Sequence, residues 1–419
     1  MPRSEMAAPL FGLIGETLKH SWSVPIHHAL GCSDYRLYEL RPEELEAFLK
    51  ENAIGGLNVT IPYKKAVIPF CSELDPYAAA IGSVNTLVPD GKGGLKGYNT
   101  DAIGFSYIAK RAGISFRDAK VVILGTGGTS LTAQAVVRNE GAKEQVIVSR
   151  TGENNYQNLP AHYDADVLVN TTPVGMYPHN GECLADLKKF TRLRGVLDVI
   201  YNPIRTALLL QAEQLGIPRG NGLPMLTAQA VAAEERFFGT KIDDAEIERI
   251  AAMLRRDMMN IVLIGMPGSG KSTVGKALAE RTGRAVIDID AEITRTAGCS
   301  IPDLFRDQGE AAFRAMETEA VRLAGKETGK IIITGGGVVT REENYAPLRQ
   351  NGWICQLERD LKLLPIDGRP VSQKTPAAEL YRQRAPLYAA FRDAAADNNG
   401  TVAETVETIW RDFCESTRH

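Results

Sequence analysis

The sequence predicts an α/β protein with two nucleotide-binding regions, a Rossmann-like lobe first and a P-loop domain built on a parallel sheet last. Three observations lead there. Val121-Val-Ile-Leu-Gly-Thr-Gly-Gly-Thr is an apolar run ending in Gly125, Gly127 and Gly128, the form of a dinucleotide turn between strand and helix. Met259-Asn-Ile-Val-Leu-Ile-Gly-Met-Pro-Gly-Ser-Gly-Lys-Ser-Thr places Gly265, Gly270, Lys271 and Ser272 in the pattern G-x-x-x-x-G-K-[ST], again after an apolar strand and before a helix-forming stretch. Finally, 419 residues are too many for one domain. A P-loop strand lies near the start of its domain, and here about 258 residues stand before it and about 160 after it.

Composition narrows the function. An apolar fraction of 44% supports buried cores, and a net charge of −3 with both signs interspersed gives neither a basic stripe for nucleic acid nor a polybasic membrane patch. No apolar run approaches the ~20 residues of a membrane span, and the first residues lack a signal-peptide core. A cytoplasmic protein acting on small molecules is expected, with no nucleic-acid or membrane partner. Cys32, Cys71, Cys183, Cys299, Cys355 and Cys414 are scattered, without C-x-x-C or metal-ligand spacing. Free thiols are therefore expected rather than disulfides or a zinc site.

In chain order, Phe11–Gly15 reads as a short strand entering a polar loop in which Ser21 and Ser23 flank Trp22. In an extended segment alternate residues face one way, which would aim both hydroxyls at one polyol ligand; S-x-S is also ordinary loop sequence. A strand carrying Asn58 and Thr60 then breaks at Pro62 and presents Lys64. Gly82-Ser-Val-Asn-Thr-Leu supplies Asn85, and Gly97-Tyr-Asn-Thr-Asp supplies Asn99 and Asp101. Each has an ordinary use as well: Asn and Asp cap helices, and a lone lysine is commonly a solvated charge.

Together these blocks, H-S-x-S, N-V-T-x-P-x-K, V-N-T-L and G-x-N-T-D, resemble the substrate lobe of shikimate dehydrogenase. The resemblance implies substrate ligands at Ser21, Ser23, Thr60, Asn85 and Asp101, and a catalytic lysine at Lys64. Val24 and His28 depart from the family's Pro and Asn. The chemistry asks for such residues, because reducing a ring ketone needs hydride at carbon and a proton at oxygen, hence a cationic donor beside the carbonyl. Asp101 would orient a substrate hydroxyl and hold Lys64 by hydrogen bonding and opposite charge.

After the glycine turn, Leu131–Asn139 can form a helix and Val146–Val148 a second strand that ends at Ser149-Arg150-Thr151. An acidic residue there would bind the ribose 2′-hydroxyl of NAD. Arg150 instead offers a planar donor fork for a 2′-phosphate, and no acid follows until Glu153, so NADP is expected. Its binding residues would be Gly125, Gly127, Gly128, Thr129, Ser149, Arg150 and Thr151, Ser149 replacing the family's Asn. Asp166-Val-Leu-Val-Asn-Thr-Thr-Pro-Val-Gly-Met, Asp198-Val-Ile-Tyr-Asn-Pro and Gly222-Leu-Pro-Met-Leu-Thr-Ala-Gln continue the likeness, which implies that Tyr201 and Gln229 hold substrate and position the nicotinamide, with Gly222 beside the cofactor.

Ile247, Ile250, Ala251 and Leu254 have helical spacing behind Asp243 or Asp244 as cap, and no Gly/Ser or Pro linker separates this helix from the P-loop strand. The expected division is 1–105 with 225–257 as substrate lobe, 106–224 as NADP lobe, and 258–419 as the P-loop domain. Each half has its own nucleotide loop, so fragments 1–257 and 258–419 are expected to work separately.

In the last part, Gly268, Ser269, Gly270, Ser272 and Thr273 would surround ATP, with Lys271 neutralising phosphate and Ser272 meeting Mg²⁺. Ala285–Ile289 reads as a strand with Asp288 and Asp290 on one face. With Gly309-Glu-Ala-Ala-Phe-Arg-Ala-Met-Glu, Gly335-Gly-Gly, Arg369-Pro and Arg384-Ala-Pro-Leu-Tyr, the segment is similar to shikimate kinase. That implies Asp290, Arg314, Gly336 and Arg384 for substrate, Asp290 and Lys271 for catalysis, Asp288 beside the metal and Arg369 on a lid over ATP. Guanidinium forks at Arg314 and Arg384 suit a carboxylate, Asp290 the hydroxyl at the other end, and Lys271, Mg²⁺ and Arg369 the transferring phosphoryl group. Leu361–Gly368 is shorter than the family's approach to the lid, and Val371-Ser372 replaces Leu-Leu.

The reading is a fused enzyme that reduces 3-dehydroshikimate with NADPH and phosphorylates the resulting shikimate with ATP. Two alternatives are a ligand-sensing regulator on enzyme folds and a quinate-preferring, NAD-using first half. Retained Lys64, Asp101, Lys271 and Asp290, and no DNA-binding segment, argue against the regulator.

Overall fold

Residues 8–18, 21–364 and 376–418 are described by the computed structural model. The first sheet holds β1 (Leu10–Gly15), β2 (Arg36–Glu39), β3 (Ile54–Val59), β4 (Cys71–Leu74), β5 (Thr86–Pro89) and β6 (Leu95–Tyr98) in the order β2-β1-β3-β5-β6-β4. It is mixed: β1 runs parallel to β2 and β3, while β5 is antiparallel to β3 and β6. Ile14, Leu57, Val59 and Leu87 form its core. The last four residues of both β1 and β3 are buried, as central strands covered on both faces require.

Helix Thr100–Arg111 follows, burying Ala102, Phe105, Ile108 and Ala109 at helical spacing against Val121, Ile123, Val136 and Val169 of the next core. The second sheet is β7 (Lys120–Leu124), β8 (Glu144–Val148), β9 (Val167–Asn170), β10 (Gly195–Asp198) and β11 (Arg219–Gly220). All its pairings are parallel, in the order β11-β10-β9-β7-β8. This doubly wound order leaves a crevice at the carboxyl ends of β7 and β9, where successive connections diverge. Helix Gly128–Asn139 starts at the end of β7, earlier than the expected Leu131.

The third sheet comprises β12 (Asn260–Ile264), β13 (Val286–Asp288), β14 (Ile331–Ile333), β15 (Gly352–Glu358) and β16 (Ala394–Asp397). It too is parallel throughout, ordered β13-β14-β12-β15-β16. Central β12 is buried along its whole length. Helix Asp244–Met258 precedes it, with Asp243 Oδ1 accepting the Ala245 N–H at 2.9 Å; only Met259 separates helix from strand. No described helix is long and apolar enough to cross a membrane.

Two local expectations are corrected. Ser21 and Ser23 do not lie on an extended segment: Trp22 sits at φ −84°, ψ 0° and Ser23 opens helix Ser23–Ala29. Pro25 fits the first turn of that helix, and Ser21 Oγ accepts the Ser23 N–H at 3.1 Å. The two hydroxyls nevertheless meet, at 3.0 Å. Likewise Asp288 and Asp290 do not share a strand face. Strand β13 ends at Asp288, whose Oδ1 caps helix Ile289–Ala297 by accepting the N–H groups of Asp290 and Ala291 at 3.0 and 3.3 Å; an Asp at a strand end is a ready N-cap acceptor. Arg369, with Val371 and Ser372, lies outside the described residues.

The chain forms two compact units. One runs through Pro173 and includes Leu184–Tyr201 and Gln211–Ala251; the other consists of Val174–Cys183, Asn202–Leu210 and the chain from Ala252. Within the second, Ile204 N–H donates to Asn351 Oδ1 at 2.9 Å and Arg205 Nη1 to the Arg349 carbonyl at 3.1 Å. The Arg205 bond serves the C-terminus of helix Tyr345–Asn351, where helix geometry leaves carbonyls unpartnered, while the Ile204 bond goes to the Asn351 side chain.

Candidate active sites

In the first unit, Ser21, Ser23, Thr60, Lys64, Asn85, Asp101, Thr129, Tyr201, Gly222 and Gln229 line one cleft of about 570 Å³. At its centre Lys64 Nζ lies 2.6 Å from Asp101 Oδ2, the side chains 30% and 21% exposed, shielded yet open to a ligand. Asp101 stands in the first turn of helix Thr100–Arg111, where the helix dipole favours its negative charge. Asn85 pins that turn: its Oδ1 accepts the Thr100 N–H at 2.7 Å, and its Nδ2 donates to Thr100 Oγ1 at 3.0 Å. Gln229 Oε1 accepts from the same hydroxyl at 3.4 Å. Burial raises the Tyr201 phenol above its ordinary pKa, keeping it a neutral hydrogen-bonding group.

Beyond the cleft the glycine turn begins. Gly125 has φ +106°, and a Cβ there would lie 2.9 Å from Thr171 Oγ1 and from Thr172 Cγ2. By contrast, a Cβ on Gly127 or Gly128 would meet nothing within 4 Å. This leaves room for phosphate at the N-terminus of helix Gly128–Asn139, where backbone N–H groups and the helix dipole favour an anion. Ser130 Oγ donates to the Gly125 carbonyl at 2.7 Å and steadies the turn. At the end of β8, Arg150 is exposed, and Ser149 Oγ donates to the Thr151 carbonyl. The residues around the turn thus fit a dinucleotide carrying an extra phosphate. Gly222 opens helix Gly222–Phe238 with its Cα so close to β10 that a Cβ would fall 1.9 Å from the Val199 carbonyl oxygen.

The second unit has its own cleft, about 430 Å³, lined by Gly268, Gly270, Lys271, Ser272, Thr273, Asp288, Asp290, Arg314, Gly336 and Arg384. The loop takes left-handed φ values of 142°, 85° and 95° at Gly265, Gly268 and Gly270, which glycine adopts without strain. Lys271 Nζ donates to the Gly265 and Met266 carbonyls at 2.9 and 3.0 Å. Ser269 does not face the cleft: its side chain is fully buried, and its carbonyl accepts from Asn398 Nδ2 at 2.7 Å.

Across the loop, Arg314 Nη1 donates to Glu317 Oε2 at 2.7 Å and Arg314 Nη2 to Glu310 Oε1 at 3.2 Å. Burial works against the Arg314 charge, but the two glutamates outweigh it and lift its pKa. Burial likewise raises the Glu317 carboxyl, with Arg314 opposing. Arg384 Nη1 and the Tyr388 hydroxyl both donate to the Gly336 carbonyl, at 2.9 and 2.5 Å. At Gly336 a Cβ would fall 2.6 Å from the Pro267 ring and 2.7 Å from its backbone nitrogen, whereas at Gly335 and Gly337 it would meet the movable ends of Glu317 and Arg314.

Sequence reasoning missed Glu317, Tyr388 and Asn398. Glu317 follows Arg314, and Tyr388 follows Arg384, by about one helical turn, a spacing that puts them on one face; that signal was available. Nothing local points Asn398 at the loop. Among the described residues no group of three or more His, Cys, Asp or Glu is placed to hold a metal. Ser272 and Asp288 both line the second unit's cleft, and two oxygen donors would leave most of a cation's shell to water and phosphate.

Comparison with known proteins agrees with both halves. A family model described as the shikimate dehydrogenase substrate binding domain matches residues 13–87, and one described as shikimate kinase matches residues 267–414. A shikimate dehydrogenase (NADP(+)) of Clostridium perfringens is 35% identical over 268 residues, covering 59% of this chain and 98% of its own length. One from Halothermothrix orenii is 37% identical over 270 residues, covering 55% and 91%. Among solved structures, a chorismate mutase/shikimate 5-dehydrogenase fusion protein from Clostridium acetobutylicum has a TM-score of 0.55 at 34% identity, covering 59% of this chain and 97% of that one. The Thermus thermophilus shikimate 5-dehydrogenase in complex with NADP(H) and shikimate has a TM-score of 0.53 at 28% identity, covering 59% and 99%.

Proposed function

Since the chain belongs to the shikimate dehydrogenase family and carries a shikimate kinase domain after it, we propose how its residues divide the work of a bifunctional shikimate-pathway enzyme. The first activity reduces 3-dehydroshikimate to shikimate with NADPH; the second phosphorylates shikimate with ATP. We assign the substrate lobe to 1–105 with 225–257, the NADP lobe to 106–224 and the kinase to 258–419.

The observation that carries the first assignment is the 2.6 Å Lys64–Asp101 pair in a cleft with both serines. NADPH supplies the hydride. Lys64 Nζ gives its proton to the carbonyl oxygen as charge develops there, and Asp101 accepts from a neighbouring substrate hydroxyl while holding the ammonium in place. Ser21, Ser23 and Thr60 orient the substrate's polar edge, Asn85 and Gln229 its hydroxyls, and Tyr201 the carboxylate-side hydrogen bonding. Arg150 and Thr151 bind the 2′-phosphate, with Gly125, Gly127 and Gly128 admitting the pyrophosphate and Ser149 and Thr129 beside it.

For the kinase, Arg314 and Arg384 hold the shikimate carboxylate and Asp290 the reacting hydroxyl, while Gly336 shapes the floor beneath the ring. Lys271 and the loop amides stabilise phosphate charge, with Ser272 and Asp288 on the Mg²⁺ side and Arg369 assigned to the same phosphates. Mg²⁺ would neutralise charge on the phosphate oxygens. The test is one coupled assay: 3-dehydroshikimate, NADPH, ATP and Mg²⁺ should yield shikimate, then shikimate 3-phosphate. Failure to consume NADPH would overturn the dehydrogenase reading, and failure to release ADP with added shikimate the kinase reading.

A further inference from the structure

Behind the serines of the dehydrogenase cleft lies a buried ionisable pair that neither reaction uses. His27 Nδ1 is 2.7 Å from Glu234 Oε1, with the residues only 1% and 2% exposed. Burial holds the imidazole below its ordinary pKa, the carboxylate pulling the other way. A buried carboxylate–imidazole pair is a poor source of stability, because apolar side chains of similar volume serve as well or better in such a place. Its geometry points elsewhere. His27 lies one turn after Ser23 on helix Ser23–Ala29, and Glu234 is on helix Gly222–Phe238, which also carries Gln229. The imidazole stacks flat on Tyr35, with centroids 3.8 Å apart and planes 5° from parallel. Tyr35 in turn donates its hydroxyl to Asn58 Oδ1 at 2.7 Å, and Asn58 lines the cleft. One continuous set of contacts therefore runs from the Gln229 helix, through Glu234, His27 and Tyr35, to the wall that presents Ser23 and Asn58.

We infer that Glu234 and His27 are positioning residues for the ketone substrate: they lock the serine-bearing helix against the Gln229 helix and so set how tightly the substrate is held. This rests on the proposed dehydrogenase site, so the parent protein is assayed first; a parent that does not reduce 3-dehydroshikimate refutes that site rather than this inference. The test is the double variant His27→Phe/Glu234→Leu, which keeps the ring stack and removes both polar partners together, leaving no buried charge unpaired. Its KM for 3-dehydroshikimate should rise about tenfold or more, while kcat, the KM for NADPH and kinase turnover stay at parental values. The single variant Glu234→Gln, which keeps an acceptor for the Nδ1 proton, should recover most of the loss. A double variant with the parental KM for 3-dehydroshikimate would overturn the inference, whatever its melting temperature. So would a fall in kcat with KM unchanged, or Glu234→Gln as impaired as the double variant.

Discussion

Gly222→Ala should disable the dehydrogenase and spare the kinase. The alanine Cβ would sit 1.9 Å from the Val199 carbonyl oxygen and 2.5 Å from its carbon. Both are backbone atoms at the end of β10, so no side-chain rotation relieves the overlap. Reaching an ordinary C···O approach of about 3.3 Å requires a displacement of roughly 1.4 Å. The Gly222 N–H is bonded to the Ile200 carbonyl at 3.0 Å, and the helix it opens is buried through much of its length. The shift must therefore pass either into that helix, moving Gln229, or into the strand end, moving Tyr201. Misplacing such groups by about 1 Å costs on the order of 10²-fold in rate, and overpacking costs about 1–3 kcal/mol of stability. The assay follows NADPH oxidation with 3-dehydroshikimate and ADP release with shikimate on the same sample. Parental kcat/KM for the dehydrogenase would refute the claim that this close approach sets the site's geometry. Loss of both activities together would show that the damage is global unfolding.

Other outcomes are equally specific. Lys64→Ala should lower dehydrogenase turnover by about 10²-fold or more, as expected on removing a proton donor; turnover near the parental value would exclude Lys64 from that role. Arg150→Ala should raise the KM for NADPH about tenfold, in line with one charge-assisted hydrogen bond, and leave NADH use unchanged; equal use of both cofactors by the parent would contradict the 2′-phosphate assignment. Thiol labelling should separate the cysteines. Burial pushes the Cys355 thiol up to about 12, so below that pH it stays protonated and resists a thiolate-specific reagent, whereas exposed Cys183 reacts in the native protein. Labelling of Cys355 before Cys183, located by peptide mapping, would contradict this.

What was legible in the sequence was what a short stretch of backbone decides alone. The two glycine loops could be read directly, because their φ values depend on glycine and their helices follow at once. Lys64 and Asp101, 37 residues apart, could be joined only through the family pattern, and the cleft brings them together as that pattern implied. Local reasoning failed where strand geometry was extended one residue too far. At Ser21–Ser23 a helix had already begun, and at Asp288–Asp290 a carboxylate turned back to cap one. Contacts such as Asn398 with Ser269, 129 residues apart, and His27 with Glu234, 207 apart, leave no mark on local periodicity. They are chosen by tertiary packing, which the pattern of apolar residues does not specify pair by pair.

Helix Asp244–Met258 belongs to both compact units, whose boundary falls within it. On one side Glu248 accepts from Tyr107 and Arg111, each at 2.7 Å. On the other, Met258 and Met259 are buried, their carbonyls taken by the Gly329 N–H and Arg284 Nη1 at 2.8 and 2.6 Å. A protease therefore finds helix running almost directly into strand, not a slack tether, where the second enzyme begins. A gene cut at 257/258 keeps Ile247 and Glu248 with the dehydrogenase and starts the second fragment two residues before β12, whereas a cut in the turn after Gly239 would take both residues from the dehydrogenase.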